Sequence, residues 1–282
     1  MDKTHDLVLG AGGVKGYLEI GALRAIEELR IPIGTVTGVS VGAGNAALFT
    51  NGFTSYQILK VFQQGRGRMS NPTMMLRSFT IPDFAQWLVS QSFISLEGPW
   101  ADVVRELGLV ANDRLQILAF DIVNHKPVLF TGAGMNLAKA IAASGSVPGV
   151  FVPVRHEGGL LVDGALYHYN PTEFSRTPAI VVRLKRATRW PDEPMSPMDT
   201  YYHWRELNLP LTPSMQAIDE ANNIVIDMES DDVAGLSFGI SEAKCMQLVE
   251  KGYRTAMAVL TKAIADGKLH GTIAGAASQQ EA

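Results

Sequence analysis

Ser40 stands in Gly38-Val39-Ser40-Val41-Gly42, with an aliphatic run before it and a small-residue helical pattern after it. Glycines two before and two after a serine, between a strand and a helix, give the spacing of a nucleophile elbow. They leave room for the sharp turn that exposes the hydroxyl, and the following helix sets its positive dipole end behind that side chain. A serine hydroxyl is a poor nucleophile at neutral pH and needs a base and a site for the developing oxyanion. A second glycine-rich turn, Gly10 to Gly16 (G-A-G-G-V-K-G), follows Leu7-Val8-Leu9 and aims exposed backbone N–H groups from a strand end. A nucleophile and an anion-binding loop are the two halves of an acyl-transfer site.

The elements that must carry these turns read as α/β. Leu7–Leu9, Thr35–Val39, Leu115–Asp121, Leu160–Val162 and Ala179–Leu184 are short apolar runs suited to buried strands of a mostly parallel central sheet. Pro127–Phe130 reads as a hairpin partner of 115–121. Tyr17–Leu29 places Leu18, Ala22, Ala25, Ile26 and Leu29 at helical spacing, and Pro32 ends it. Val41–Asn51 is a helix crowded with Gly42, Ala43, Gly44, Ala46 and Ala47, residues that suggest close approach to the sheet. Asn136–Ser144 reads as a short alanine-rich helix, 186–213 as a long surface connection, and 214–229 and 241–265 as two closing helices. The expected architecture is three layers, helices on either side of the sheet. One domain over 1–270 is expected, with an apolar, Met- and Phe-rich cap or lid near 66–100 and a flexible tail over 271–282.

The chain has 282 residues, 46% hydrophobic and 18% charged, with a net charge of −4. That composition suits a globular protein with a large core and gives no reason to expect nucleic acid. A single cysteine, Cys245, excludes an internal disulfide. No signal peptide and no span of about 20 apolar residues is visible, so the expected compartment is the cytoplasm, with membrane association or export without a cleaved signal left open. No histidine pair has metal-ligand spacing, so neither metal nor cofactor is expected. Asp121, at a strand end, is read as structural. His168, His203 and His270 follow the aspartate at 163 in the order used by Ser-Asp-His triads, which keeps a triad open; His168 itself reads as an exposed turn residue.

A dinucleotide-binding oxidoreductase is one rival reading, since Gly10 and Gly12 follow a strand and open a helix. The third glycine, however, falls at 16 with Lys15 before it, and the next strand ends in Gly-Val-Ser where a ribose-binding acid belongs.

The runs L-G-A-G-G-V-K-G-Y-L-E-I-G-A-L-R-A-I-E-E-L, G-V-S-V-G-A-G-N-A-A-L, L-Q-I-L-A-F-D, S-G-S-V-P-G-V-F-V-P-V and L-V-D-G-A-L with Asn170-Pro171 resemble the patatin-like phospholipases, in the same order. The resemblance implies a lipid acyl hydrolase that cleaves fatty-acyl esters such as phospholipids with a Ser–Asp dyad in place of a triad, and it allows peripheral membrane contact. Ser40 matches the nucleophile and Asp163 the base. The amides of Gly12 and Gly13 match the oxyanion hole, and Ala11, Lys15 and Gly16 its supports. Ala11 departs from the glycine usual there, and only a positive φ at that position would exclude alanine. An unperturbed aspartate near pKa 3.9 is a feeble base toward an alcohol, so burial of Asp163 would have to raise it. A patatin-like fold that binds without turnover is a further reading. Oligomeric state is not legible.

Overall fold

The computed structural model describes residues 4–69, 94–176, 178–192, 197–208 and 217–273. In chain order the elements are β1 (His5–Leu9), α1 (Gly16–Glu28), β2 (Ile33–Val39), α2 (Val41–Thr50), α3 (Ser55–Met69), α4 (Glu97–Leu107), β3 (Leu115–Asp121), β4 (Lys126–Thr131) and α5 (Leu137–Ser144). Then come β5 (Val154–His156), β6 (Gly159–Asp163), β7 (Ile180–Leu184), α6 (Pro197–Asn208), β8 (Ile224–Met228) and α7 (Glu242–Ala265). The eight strands form one sheet in the order β5-β6-β3-β2-β1-β7-β8, with β4 also paired to β3. Neighbours β3, β2, β1, β7 and β8 are parallel, whereas β4 and β6 run antiparallel to β3.

Alternation along the strands sorts two faces. Leu7, Leu9, Val36, Leu115, Ile117, Ile180, Val182, Ile224 and Ile226 join one large apolar cluster with α1, α2, α5 and α7. The opposite face carries Val39 and Leu118 against Ala11 and Ala165, and Val8 and Val181 against Ala179. This third layer is thinner and includes short 3-10 turns at 164–166 and 172–174. Helix α1 lies along α7 at glycine contacts: a Cβ on Gly21 would collide with the Val249 carbonyl, and one on Gly252 with the Leu18 carbonyl.

Several elements differ from the reading of the sequence. Residues 224–228, expected inside a helix, form β8; Ile224, Ile226 and Met228 are buried and alternate with Val225 and Asp227, a period of two that pairs with β7. The connection expected over 186–213 contains α6, which buries His203 and holds a partly buried Glu206 in an ion pair. Tyr202 is its one described side chain packed on the apolar core, so no apolar stripe announces it. The irregular stretch after residue 53 contains α3 and α4. The cap expected near 66–100 lies for its greater part outside the described residues, as does the tail beyond 273. Among the described residues no helix is long and apolar enough to cross a membrane.

The start of α2 is wedged against the end of β1. A Cβ on Gly42 would land on the Leu9 carbonyl, with the Gly10 oxygen beside it, and one on Gly38 would land on the Gly42 carbonyl. These are backbone atoms and cannot swing aside. Gly42→Ala is therefore expected to cost at least about 2 kcal/mol of unfolding free energy, the scale of overpacking a rigid site. Urea denaturation checks this, and a variant within 0.5 kcal/mol (about the spread of surface substitutions) would mean that the wedge is slack.

Candidate active site

Strand β3 sets the geometry. One of its edges is taken by β4, from Gln116 through Asp121. Its other edge is shared by two strands meeting end to end: β2 pairs up to Val39↔Leu118, and β6 begins at Ala119↔Asp163. Adjacent residues of β3 thus hold the residue before Ser40 and Asp163 itself. Two positions 123 apart in sequence become neighbours through backbone pairing alone.

At that junction the Ser40 hydroxyl donates to Asp163 Oδ2 at 2.6 Å. Ser40 takes φ 57° and ψ −123° as the N-cap of α2, a strained setting for a residue with a Cβ, worth about 1–3 kcal/mol. The other oxygen of Asp163 accepts the Ala165 amide at 2.9 Å. Asp163 is 2% exposed, and burial pushes its carboxyl up to about 6 even though the Ser40 and Ala165 hydrogen bonds pull the other way. The adjacent Tyr169 phenol is pushed up to about 12 by burial and then by Asp163. The buried aspartate thus has a basicity closer to that of histidine than to that of a free carboxylate.

The glycine loop leaves β1 between these groups and the ends of β7 and β8. Ala11 is buried, donates its amide to the Tyr169 carbonyl at 3.0 Å, and is absent from the residues with positive φ, so alanine fits there. Gly13 does have φ 55°, and a Cβ on it would strike the Gly235 carbonyl. Among the described residues the Gly12 and Gly13 amides donate to no protein acceptor. Gly16 packs its α-carbon against Val41, joining the starts of α1 and α2. Lys15 is 2% exposed and turned away from solvent: its ammonium donates to Glu206 Oε1 at 2.6 Å and to the Lys185 carbonyl at 2.7 Å. Glu206 also accepts the Ala187 and Gly235 amides. Burial works against its charge, but Lys15 and these hydrogen bonds outweigh it and hold the carboxyl below its usual value.

Among the described residues no histidine hydrogen-bonds Ser40 or Asp163. His168 is buried, not exposed as its turn suggested, and its Nδ1 accepts the Asn170 amide; His203 bonds the Arg189 carbonyl and stacks on Trp190; His270 lies against His5. Asp121 accepts the amides of Val123 and Asn124, closing a turn. Among the described residues no three His, Cys, Asp or Glu side chains converge for a metal ion. Sequence reasoning missed Glu206, Ser144, which accepts the Ser40 amide at 2.9 Å, and a buried Glu19–Asn45 pair at 2.7 Å linking α1 to α2. Glu19, fully buried, is raised well above the ordinary carboxylate range by that burial.

The raised Asp163 has a signed consequence for stability. The folded state binds its proton more tightly than the unfolded chain, so stability falls as pH rises from about 4 to about 6 and then levels, losing about 3 kcal/mol in all. Asp163→Asn lacks this titration. It should match wild type near pH 4 and exceed it at pH 8, as read by denaturant unfolding at both pH values; a variant equally stable or less stable at pH 8 would contradict the raised carboxyl.

Comparison with known proteins places this geometry in context. The family model described as patatin-like phospholipase matches residues 7–68 and 111–174, the segments holding the glycine loop, the elbow, β3 and Asp163. The lysophospholipase NTE1 of Chaetomium globosum is 27% identical over 172 residues, 57% of this chain but 10% of that protein. The Bacillus subtilis protein YqhO is 26% identical over 88% of this chain and 95% of its own length. The crystal structure of VipD from Legionella pneumophila superposes with a TM-score of 0.58 over 92% of this chain and 67% of that one, at 15% identity, a likeness of fold. Loop, elbow and the order of elements between them agree with that match, and over those residues the chain is similar to the patatin-like phospholipases.

Proposed function

We propose that the chain is a serine lipid acyl hydrolase of phospholipase A or lysophospholipase type, working through Ser40 and Asp163. The observation that carries this is the 2.6 Å hydrogen bond from Ser40 Oγ to a buried carboxylate, with no histidine between them. Asp163, with its carboxyl near 6, takes the hydroxyl proton as Oγ attacks the ester carbonyl. Negative charge then develops on the carbonyl oxygen. The Gly12 and Gly13 amides receive it in this reading, which is supported by their having no protein acceptor among the described residues. The proton on Asp163 passes to the departing alcohol, leaving the fatty acyl group on Ser40. Water, deprotonated by Asp163, attacks the acyl-enzyme, and the fatty acid leaves as Ser40 regains its proton.

The acyl-ester substrate is favoured by the match to the patatin-like phospholipase model and by relatives that are lysophospholipases by name, of which this chain spans about a tenth. A phospholipid substrate would bring the chain against a bilayer surface. Turnover of a p-nitrophenyl acyl ester and of a lysophospholipid by wild type, Ser40→Ala and Asp163→Asn tests the reading. Each substitution should lower kcat by a factor of about 10³ or more, on the scale of losing a catalytic dyad or triad member. Equal turnover in all three would sink it, and a Ser40 that no fluorophosphonate labels would return the chain to a binding role. In wild type, kcat/KM should climb about tenfold per pH unit below pH 6 and flatten above, since Asp163 must be ionised to act. A flat profile from pH 4.5 to 7 (roughly two units around that pKa) would detach Asp163 from the role of base.

A further inference from the structure

The amide of a residue held at positive φ needs a partner that keeps it there, and the elbow's partner lies outside its own strand and helix. It is Ser144, in the last turn of α5, fully buried. Its hydroxyl accepts the Ser40 amide at 2.9 Å and donates to the Leu118 carbonyl at 2.6 Å, so both directions of the hydroxyl are used. Two residues on, the Ser146 carbonyl accepts the Asp163 amide at 2.9 Å. The backbone N–H groups of both dyad residues are therefore held by one three-residue span, 144–146, which is itself tied to β3 at Leu118. That is the β3 residue paired with Val39, and the next one pairs with Asp163.

We infer that Ser144 is a positioning residue for the reaction: its hydroxyl clamps the Ser40 backbone to β3 and sets the approach of Oγ to Asp163. The inference rests on the dyad reading above. It has a second consequence, because an N–H committed to Ser144 is withdrawn from the oxyanion, which leaves that task to the glycine loop. Loss of the clamp lets the elbow relax away from its strained φ. A displacement of the order of 1 Å at a reacting atom lowers rate by up to about 100-fold while leaving distant substrate contacts in place.

The test is a comparison of Ser144→Ala, Ser144→Thr and Ser55→Ala. Ser55 is another buried serine, whose hydroxyl bonds Glu27 and not the dyad. Ser144→Ala should lower kcat by about 10- to 100-fold with KM nearly unchanged, and slow fluorophosphonate labelling of Ser40 by the same factor. Ser144→Thr, keeping a hydroxyl, should recover part of that loss. Ser55→Ala should lower the melting temperature without a matching fall in kcat. A Ser144→Ala enzyme within about twofold of wild-type kcat overturns the inference, as does an equal fall in kcat for the Ser55 variant. Should the Ser144 variants fail to fold, hydrogen exchange at the Ser40 amide of the wild-type protein decides instead: strong protection supports the clamp, and exchange at the free rate overturns it. An inactive wild type would overturn the function first, whereas an active one indifferent to Ser144 removes this inference alone.

Discussion

Everything in this molecule turns on a carboxylate that is both buried and hydrogen-bonded to a serine. A free aspartate near pH 7 holds its charge too comfortably to accept a proton from an alcohol. Removing it from water makes the charge costly, and the carboxyl rises to about 6. In the proposed mechanism, burial is thus the means by which a two-residue arrangement replaces three. It also explains why the histidines can be occupied elsewhere: with Asp163 tuned by desolvation and touching Oγ directly, no imidazole is needed to carry the proton between them.

Such a site lowers stability, and the rest of the fold offsets the loss. Ser40 holds an unfavourable φ, glycines sit where alanine would be the better helix former, and a carboxyl is kept charged in the interior. Against this stand a continuous apolar cluster running from Leu7 to Leu269 and a sheet whose central strands are buried on both faces. The division of labour follows the sheet. One face carries the helical core, while the other, thinner face carries the segment after Asp163, where a short 3-10 turn returns an amide to the carboxylate.

The two glycine-rich motifs were more legible in the sequence than the side chains that hold them in place. The elbow and the glycine loop are short motifs whose spacing shows in the sequence, although the atoms that demand glycine there lie far along the chain: Gly42 abuts the Leu9 carbonyl and Gly13 the Gly235 carbonyl. Ala11 was readable as well, once the question became the sign of φ. Ser144, Glu206 and Asn45 were not legible, because each acts through a partner 26 to 191 residues away and resembles an ordinary helical polar residue in isolation. Helix α6 stayed hidden for a related reason. Its one buried position among the described side chains is His203, with Tyr202 partly buried against the core, so hydrophobic periodicity, which reports on apolar burial, had almost nothing to detect. Strand β8 was lost in a window that mixes polar turn residues with only five strand positions.

Lys15 shows how the site separates charge from catalysis. A lysine inside an anion-binding loop invites the idea of a cation facing the oxyanion, yet its ammonium is sealed against Glu206 and the Lys185 carbonyl. The pair is locally neutral and cannot serve as a net positive field at Ser40. What it does instead is tie the loop to the segments following β7 and β8: Glu206 gathers the amides of Ala187 and Gly235, and Gly235 in turn accepts the Val14 amide. The loop's amides are then held rigid by the fold, and fixed dipoles need no reorganisation when charge appears. A mobile ammonium would have to be desolvated and oriented at each turnover. In the proposed reaction the Lys15–Glu206 pair would act only through the backbone it immobilises.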